Sequence, residues 1–596
     1  MTKKHNIKEY VIKSLKGSLI CRALAAWLVT AGINICKYPG FDVIYWQNNI
    51  NIVTDIIIFA VSFLAFSVIC AFCGKIHSDS TALFFAALFC SVSAACRKSE
   101  FVFLLAVLIA MTLTAINFVT KNEELLSRFA PSKRLVNILT LAMTCVCFLM
   151  IASIGVFRYK TFGSPNYDFG IFVNMFYNMK ERGLPVTTCE RNELLSHFAV
   201  HFSPIWYVLL PIYFVFPYAE TLAAAQGAIL AIGAVPVLLI ARENKLSERS
   251  QLFAVAVYCF SPLITAGTAF DIHENCFLAP LLLWMIYFYE KKKYPLFLIF
   301  AFSVMLVKED AAFYILIFAL YIIICDKNYL WGIISADAAV LYFVFAVYFM
   351  EKYGTGIMSS RFDNLIADSA DGLFGALKTV IKDPAYVLGE IFKTRDGNAE
   401  KIQYLIYILV PVGFISLCTK KSSRWLLSAP MLVNLITDYP YQYQISYQYH
   451  FGIVALSVYA LIKNIKEIPK SVKRVLCTVA AVGCIVLYTG DALPSVSYYV
   501  GAYSGSRDIY VEVEAALDEI PHEASVCASA FIVPHIADRD EIYEIEYHDF
   551  VPDTDYVVID ERYARYTGDV QTYLSLGYTV EKDVCGFIVI MKKTTG

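Results

Sequence analysis

The chain has 596 residues, of which 58% are hydrophobic and only 17% charged, a balance that excludes an ordinary water-soluble protein. Its 49 basic and 51 acidic residues give a formal net charge of -2, so no global positive field exists to hold nucleic acid. The 17 cysteines fall mostly within apolar runs and lack metal-ligand spacing, which excludes a disulfide scaffold.

About fifteen apolar stretches predict membrane-spanning helices, because a hydrocarbon core about 30 Å thick needs roughly 20 apolar residues in a helix. The predicted fold class is therefore mainly α, a polytopic α-helical membrane protein. The first four stretches form an N-terminal membrane extension over residues 1–134, and the others belong to a transmembrane core over 135–500 with outer loops at 158–203 and 351–402. In chain order the stretches are 17–36, 52–73, 81–96, 101–120, 136–157, 221–241, 252–270, 276–289, 296–307, 311–325, 330–350, 404–418, 425–437, 451–462 and 475–488.

The distribution of lysine and arginine predicts a multi-pass cell-membrane protein with a cytoplasmic N-terminus. Alternation of the spans places nearly every basic loop on that same side, with Arg97 and Lys98 as the exception. The segment 201–217 is apolar enough to cross, but its prolines and aromatic residues favour a position along the outer interface. The basic start that fixes the orientation consists of Lys3, Lys4, Lys8, Lys13 and Lys16.

The first large outer loop carries an acidic residue among aromatic ones. Asp168 stands between Tyr167 and Phe169. A poorly hydrated carboxylate has a raised proton affinity, which suits a general base, although Asp168 could instead cap the helix that follows it. His197 and His201 are four residues apart, which is the spacing of a metal pair on a helix, but no third ligand is evident. The alternative is a pair of interfacial histidines bonded to backbone or lipid phosphate.

Two short outer turns hold dense charge between apolar stretches. One contains Asp271, His273 and Glu274, and the next contains Lys308-Glu309-Asp310. Ionisable groups held near the depth of the membrane are unfavourable unless they are paired or used, so these turns predict a site that binds substrate. The alternative is a buried ion pair of Lys308 with Glu309 or Asp271 that only holds helices together.

The last outer turn and the C-terminal segment have different compositions. Residues 438–450, which include Tyr447 and His450, are rich in aromatic and amide groups that suit sugar contacts or an interfacial aromatic belt. Residues 506–596 are charged, with apolar segments near 524–532, 556–559 and 586–591, and predict a small extracytoplasmic α/β domain. No phosphate-binding glycine motif follows a strand, so nucleotide use is unsupported.

Six motifs lie along the chain in a specific order. They are Tyr167-Asp168-Phe169-Gly170-Ile171-Phe172, His201-Phe202-Ser203-Pro204, Phe270-Asp271-Ile272-His273-Glu274, Leu306-Val307-Lys308-Glu309-Asp310, 447–450 and Pro534-His535-Ile536-Ala537-Asp538-Arg539. Together they resemble an uncharacterised family of predicted membrane proteins, a domain of unknown function, over about residues 135–592. That family in turn resembles the GT-C glycosyltransferase superfamily, polytopic enzymes that take a sugar from a polyprenyl-phosphate carrier at the outer face.

The resemblance implies roles for individual residues. Asp168 takes the position of the catalytic base, and Lys308, Arg158 and His201 are candidates to balance the charge of the leaving phosphate. Because Asp168 lacks a second acid beside it, the case for a bound divalent metal is weakened. A divalent metal is possible, and no cofactor is assigned.

The leading hypothesis is an inverting transfer of a sugar from a polyprenyl-phosphate carrier in the membrane lipid to an unidentified acceptor. Asp168 would deprotonate the acceptor. The residues that would orient the sugar or tune Asp168 are Asp271, His273, Glu309 and Asp310. A transporter or lipid flippase is the first alternative, but the charges cluster at one face and no inverted repeats of broken helices are evident. A non-catalytic scaffold whose outer domain binds a partner is the second alternative.

Overall fold

The computed structural model describes residues 18–37, 50–72, 78–97, 100–354, 359–394, 399–547, 553–563 and 570–594. The five lysines of the basic start and Lys98, on which the predicted orientation partly depends, lie outside these residues. Helices dominate the described chain, and a small sheet follows the last long helix. The predicted polytopic α-helical fold with a small C-terminal α/β domain is therefore confirmed.

The α-helices have the following bounds in chain order. They are α1 (Leu19–Lys37), α2 (Ile52–Phe72), α3 (Ser78–Arg97), α4 (Phe101–Lys121), α5 (Glu123–Ser127), α6 (Lys133–Lys160), α7 (Ile171–Arg182), α8 (Leu210–Val215), α9 (Ala219–Ile232), α10 (Ala234–Glu243), α11 (Glu248–Cys259), α12 (Pro262–Ala266), α13 (Leu278–Glu290), α14 (Tyr294–Met305), α15 (Ala312–Cys325), α16 (Tyr329–Tyr353), α17 (Gly372–Lys382), α18 (Pro384–Glu390), α19 (Glu400–Leu409), α20 (Ala429–Ile436), α21 (Phe451–Asn464), α22 (Lys470–Leu517) and α23 (Val570–Ser575).

Eight helices in the described residues are long and apolar enough to cross a membrane. They correspond to the predicted stretches that start near residues 17, 52, 81, 101, 136, 221, 330 and 475, and the sixth of them joins α9 to α10. The other seven predicted spans consist of shorter helices with turns, none longer than the 14 residues of α15 and α21. Since 14 residues rise only about 21 Å, the predicted count of about fifteen spans is not confirmed.

Turns inside the predicted stretches explain the short helices. The stretch 252–270 breaks after α11, because Pro262 opens the separate helix α12. The stretch 404–418 leaves the helix after Leu409 and turns back through Gly413, whose φ of +58° is left-handed. A Cβ at Gly413 would lie 2.1 Å from the Leu476 carbonyl oxygen, so only glycine allows this close approach of two segments.

The two ends of the helical bundle differ in the charged residues that they carry. At the end where α6 begins, Arg249 donates to the Ser127 carbonyl at 2.5 Å, and Lys463 pairs with Glu290 at 2.8 Å. At the other end of α6, which is about 42 Å away for 28 residues, Arg158 pairs with Asp271. The basic loops thus lie at one end, and the acidic and histidine-rich turns at the other.

The C-terminal residues form a five-stranded mixed sheet at the end that holds the acidic turns. Two short strands, β1 (Val186–Thr187) and β2 (Leu195–Ser196), form a separate hairpin in the first outer loop. The order in the sheet is β4-β3-β5-β7-β6, with β3 parallel to β4 and β5, and β7 antiparallel to β5 and β6. The strands of the sheet are β3 (Val526–Ala528), β4 (Ile542–Glu544), β5 (Tyr556–Asp560), β6 (Tyr578–Val584) and β7 (Ile588–Lys593).

The edge strand β4 is covered by the first outer loop. Asn192 donates from its side-chain amide to the Glu544 carbonyl at 2.7 Å and accepts from the Glu544 N–H at 2.7 Å. Thr188 makes the corresponding pair of bonds with the backbone of Ile542. These side chains satisfy backbone groups that an edge strand would otherwise leave open, so the loop and the sheet form one unit.

Candidate functional site

The segment that carries Asp168 is a single π-helical turn, Asn166–Gly170, directly before α7. Such turns are rare and occur often at functional sites. The side chain of Asp168 makes no capping hydrogen bond to α7, whose N-cap is Gly170. The predicted alternative role of Asp168 as a helix cap therefore does not apply to the described structure.

Asn166 anchors this turn to two other parts of the chain. Its side-chain amide donates to the Cys189 carbonyl at 2.9 Å and to the Glu544 carboxylate at 2.6 Å. Its backbone N–H donates to the Ala530 carbonyl at 2.8 Å. A Cβ on Gly170 would lie 2.5 Å from Asn166 Oδ1, so the turn packs too closely for any larger residue. The sheet and the outer loop together fix the position of Asp168.

Asp168 faces a polar cavity of about 250 Å³. Three of the predicted histidines, His197, His201 and His273, line the same cavity. Its remaining walls come from the first outer loop, α7 and the sheet domain, through Tyr167, Ile171, Phe172, Glu190, Arg191, Val200 and Tyr547. Three separate stretches of the sequence, at Asp168, at 197–201 and at His273, thus meet at one cavity.

Burial controls the protonation of Asp168. Removal from water raises the pKa of this carboxyl well above its ordinary value, and the negative charges of Asp271 and Glu274 raise it further. Lys308 and His197 oppose the shift without cancelling it. A carboxyl of this kind takes up a proton more readily than a solvated aspartate, which is the property a general base needs.

Each histidine of the cavity has a carboxylate partner. His197 Nδ1 lies 3.1 Å from Glu190, and His201 Nδ1 lies 3.3 Å from Glu309. Burial lowers the pKa of His201 well below its ordinary value, and the nearby Lys308 adds to this effect, so His201 is neutral at pH 7. Burial also disfavours the charged form of His197, but Glu190 outweighs it and raises the pKa of that imidazole.

A buried ion pair lies behind the histidines. Lys308 Nζ is 3.1 Å from Glu274 Oε1, and both side chains are fully buried. Burial raises the pKa of Glu274, but the neighbouring His273 and the Lys308 ammonium lower it more, to about 2. Both groups therefore stay charged at pH 7. The sequence offers a pair of Lys308 with Glu309 or Asp271 as an alternative role, whereas the structure pairs Lys308 with Glu274 and Asp271 with Arg158.

Arg158 and Asp271 form a second pair on the other side of Asp168. Arg158 Nη1 lies 3.4 Å from Asp271 and donates to the Ala269 carbonyl at 2.7 Å. Ser164 donates to Asp271 at 2.7 Å. Burial raises the pKa of Asp271 to about 6, although Arg158 and Ser164 lower it in part. Arg158 is thus occupied within the protein and does not line the polar cavity.

The remaining predicted residues lie outside the polar cavity. Glu309 and Asp310 line a separate, mainly apolar cavity of about 990 Å³. Tyr447 packs its ring 5.1 Å from that of Phe270. His450 is buried, with Nε2 3.1 Å from the Ile445 carbonyl oxygen and its ring against Tyr404. The substrate-binding roles of Tyr447 and His450 stay predictions.

Some residues of the site were not identified from the sequence. Glu190, which pairs with His197, Arg361, which lines the large cavity, and Tyr547 of the sheet domain belong to this group. The only signal for the first two is that each is a charged residue in a predicted outer loop. Among the described residues, no three His, Cys, Asp or Glu side chains are grouped to hold a metal ion. The described residues therefore do not fit the possible divalent metal.

The fold and the site together define a polytopic α-helical membrane protein with a polar cavity at one end of its helical bundle. The chain belongs to the family described as Predicted membrane protein (DUF2079), whose model matches residues 158–578. The match confirms the family resemblance over residues 158–578. The predicted resemblance begins near residue 135, so the first four long helices and nearly all of α6 lie outside the match. No curated protein matches the chain.

Two solved structures are similar to the chain at low identity. ArnT from Cupriavidus metallidurans bound to undecaprenyl phosphate has 11% identity and a TM-score of 0.44, covering 77% of this chain and 98% of its own. The apo state of the same protein has 13% identity and a TM-score of 0.40, covering 76% and 97%.

Proposed function

We propose that the protein transfers a sugar from a polyprenyl-phosphate carrier to an acceptor at the extracytoplasmic face of the membrane. The observation that carries this proposal is the position of Asp168, a carboxyl with a raised pKa that faces a polar cavity lined by three histidines. The polar cavity also presents the side chains of Glu190, Arg191 and the three histidines, which can form hydrogen bonds with the hydroxyl groups of a sugar. Its place at the end opposite the basic loops supports an extracytoplasmic site.

The two cavities meet at one side-chain contact. His201 lines the polar cavity, Glu309 lines the large apolar cavity, and the two side chains lie 3.3 Å apart. A sugar attached to a membrane lipid needs such an arrangement, because its head is polar and its chain is apolar. This adjacency supports a lipid-linked donor over a water-soluble one.

In the proposed reaction Asp168 accepts the proton of an acceptor hydroxyl or amine. The acceptor atom then forms a bond to the anomeric carbon of the sugar, while the bond between that carbon and the carrier phosphate oxygen breaks. The electron pair of the broken bond leaves with the carrier as polyprenyl phosphate, and the single displacement inverts the anomeric centre. Lys308 and Arg158 are already paired with Glu274 and Asp271, so they hold the cluster together and are not free to neutralise the leaving phosphate.

The test is a transfer assay with purified protein and a panel of polyprenyl-phosphate sugars and acceptors. Asp168→Asn keeps the size of the side chain and removes the base, so we expect the rate to fall by a factor of about 100 or more. Asp540→Asn is the matched control, because Asp540 is exposed on the sheet domain and pairs only with Arg182 among the described residues. Full transfer by Asp168→Asn would remove the proposed base.

The same purified protein can be used to distinguish sugar transfer from transport. Reconstituted into vesicles, a transporter or flippase would move substrate across the bilayer without forming a covalent product. We expect covalent product, detected by mass spectrometry, on the side of the vesicle that exposes the sheet domain. Flux without product would favour transport and contradict the proposal.

A further inference from the structure

The turn that follows helix α6 contains a residue in an unusual backbone conformation. Phe162 has a φ of +54°, which lies in the left-handed region that residues other than glycine rarely adopt. Its side chain is fully buried. A strained conformation of this kind persists only where the surrounding structure holds it, and such residues cluster at functional sites. The contacts of Phe162 therefore bear on the role of this turn.

The contacts that hold the turn come from the C-terminal sheet domain. The imidazole of His535 is stacked between two rings at the end of α6, with its centroid 3.7 Å from that of Phe162 and 4.2 Å from that of Tyr159. Its Nδ1 lies 2.6 Å from Glu514 on α22, which holds the ring in this orientation. Arg562 donates to the Phe162 carbonyl at 3.1 Å. His535 and Arg562 are called the clamp below.

The residues after Phe162 connect the clamp to a buried ion pair of the candidate site. The Gly163 carbonyl accepts a hydrogen bond from Arg158 Nε at 2.9 Å. Ser164 donates to Asp271 at 2.7 Å, and Arg158 pairs with the same carboxylate. Because Gly163 and Ser164 directly follow Phe162, their positions depend on its backbone conformation.

We propose that the clamp positions charged groups of the candidate site and that His535 is its central positioning residue. The clamp holds the turn after α6, and this turn fixes the Arg158–Asp271 pair beside Asp168. The sheet domain thereby sets the protonation of Asp168 through residues that do not touch it. An effect of the clamp on sugar transfer rests on the proposed function, but its effect on the protonation of Asp168 does not.

The direction of the effect follows from the charges around the two carboxyls. Burial raises the pKa of Asp271 to about 6, while Arg158 and Ser164 oppose this rise. If these two contacts loosen, the pKa of Asp271 rises further and its carboxyl is mostly protonated at pH 7. The negative charge of Asp271, which helps to raise the pKa of Asp168, is then lost, so the pKa of Asp168 falls. The other titratable groups that face these two carboxyls do not belong to the clamp, and they are His197, Glu274, Lys308, Tyr447 and Tyr499.

The pKa of Asp168 can be measured on purified protein without a transfer assay. Infrared spectroscopy follows the carbonyl band of a protonated buried carboxyl across pH, and Asp168→Asn identifies the band of Asp168. We expect His535→Leu to lower the midpoint of this band by about one pH unit, because one nearby negative charge is lost. His535→Phe keeps a flat ring in the stack and should retain most of the wild-type midpoint.

The matched control is His522→Leu. His522 is an exposed histidine before the same sheet, and its ring packs on Tyr177, which does not line the polar cavity. We expect the wild-type midpoint in this variant. Thermal unfolding of each variant shows whether it has folded.

Two further variants test the path from the clamp to the ion pair. Arg562→Lys keeps a positive charge beside Asp560, which lies 2.6 Å from Arg562, but loses the planar guanidinium that bonds to the turn. A smaller shift in the same direction is expected, and this variant tests the clamp if His535→Leu does not fold. Ser164→Ala removes the hydrogen bond to Asp271 directly. Combining it with His535→Leu should add little to the shift, because both changes act on the same carboxyl.

The results separate this inference from the proposed function. A lowered midpoint in His535→Leu and Arg562→Lys, with none in His522→Leu, supports the clamp even if no sugar transfer is found. A wild-type midpoint in folded His535→Leu or Arg562→Lys, or fully additive shifts of His535→Leu and Ser164→Ala, would overturn the inference. Sugar transfer that requires Asp168 would leave the proposed function intact in that case.

Discussion

At the scale of single residues, the protonation of Asp168 is set by its neighbours. The carboxyl is partly exposed to the polar cavity, yet it is surrounded by Asp271, Glu274 and the aromatic residues of its own motif. Both burial and like charge favour its neutral form, so its pKa lies well above the usual value of about 4. The pairs Lys308–Glu274 and Arg158–Asp271 keep the cluster from accumulating more negative charge.

The raised pKa of Asp168 predicts the pH dependence of sugar transfer. A base acts in its ionised form, so the rate should rise with pH through the pKa of Asp168 and fall toward acid well before an ordinary aspartate would protonate. Initial rates of sugar transfer measured over a series of pH values give the pH at which the rate is half of its maximum. A rate that stays constant down to about pH 4 would show that no carboxyl with a raised pKa takes part.

The Lys308–Glu274 pair is expected to be structural. Removing one partner leaves an unpaired buried charge, so Lys308→Met should destabilise the protein by about 3–5 kcal/mol. Adding Glu274→Gln should restore much of that loss, because the uncompensated carboxylate is gone. The free energy of unfolding of the two single variants and the double variant, measured in detergent, gives the coupling between Lys308 and Glu274. If the losses of the two single variants simply added in the double variant, the structural role of the pair would be contradicted.

At the scale of elements, the C-terminal sheet is part of the site. The edge strand β4 is bonded to Thr188 and Asn192, and Glu544 accepts from Asn166 in the turn that carries Asp168. Tyr547, which follows β4, lines the polar cavity. These contacts disfavour a sheet domain that serves only as a separate module for binding a partner.

Loss of the Asn166 contacts should loosen the turn. Asn166→Ala removes two side-chain hydrogen bonds from a buried position, so we expect a loss of about 1–3 kcal/mol and faster hydrogen exchange in residues 166–170 and in β4. Asn178→Ala is the matched control, because Asn178 is equally buried on α7 but donates only within its own helix. Exchange at the turn that is the same in both variants would contradict this coupling.

Long helices could be predicted from the sequence, and short elements could not. Hydropathy alone located the eight long apolar helices, because each is uniformly apolar over a span's length. Hydropathy could not distinguish a continuous spanning helix from two short helical segments joined by a turn. The stretches that contain Pro262 and Gly413 are of the second kind, because their apolar composition continues through the turn. The predicted apolar segments of the C-terminal domain overlap β3, β5 and β7, whereas β4 and β6 contain charged residues and were missed.

The candidate site was predictable where its residues stand out chemically. Asp168, His197, His201 and His273 were identified as scarce titratable residues in predicted outer loops, and the fold brings them to one cavity. Glu190 and Arg361 lie in segments with many other charges, and only the folded chain shows which of these charges are buried. Sequence therefore indicated the chemistry of the site, while its pairs and cavities depend on long-range packing.

At the scale of the whole molecule, the basic loops and the acidic turns lie at opposite ends of the helical bundle. Helix α22, which contains Pro494 and is kinked at Ser506, runs from the basic end to the sheet domain at the other end. The polar cavity and the sheet domain both lie away from the basic loops. Under the proposed function, a lipid-linked donor and an external acceptor would reach the polar cavity from the same end of the helical bundle.

The orientation of the polar cavity is tested most directly by cysteine accessibility in intact cells. In a background without native cysteines, Tyr167→Cys places a thiol at an exposed position of the cavity, and Lys292→Cys places one in a loop at the basic end. We expect a membrane-impermeant maleimide to label position 167 in intact cells and position 292 only after permeabilisation. Labelling of position 292 in intact cells, with position 167 protected until permeabilisation, would contradict it.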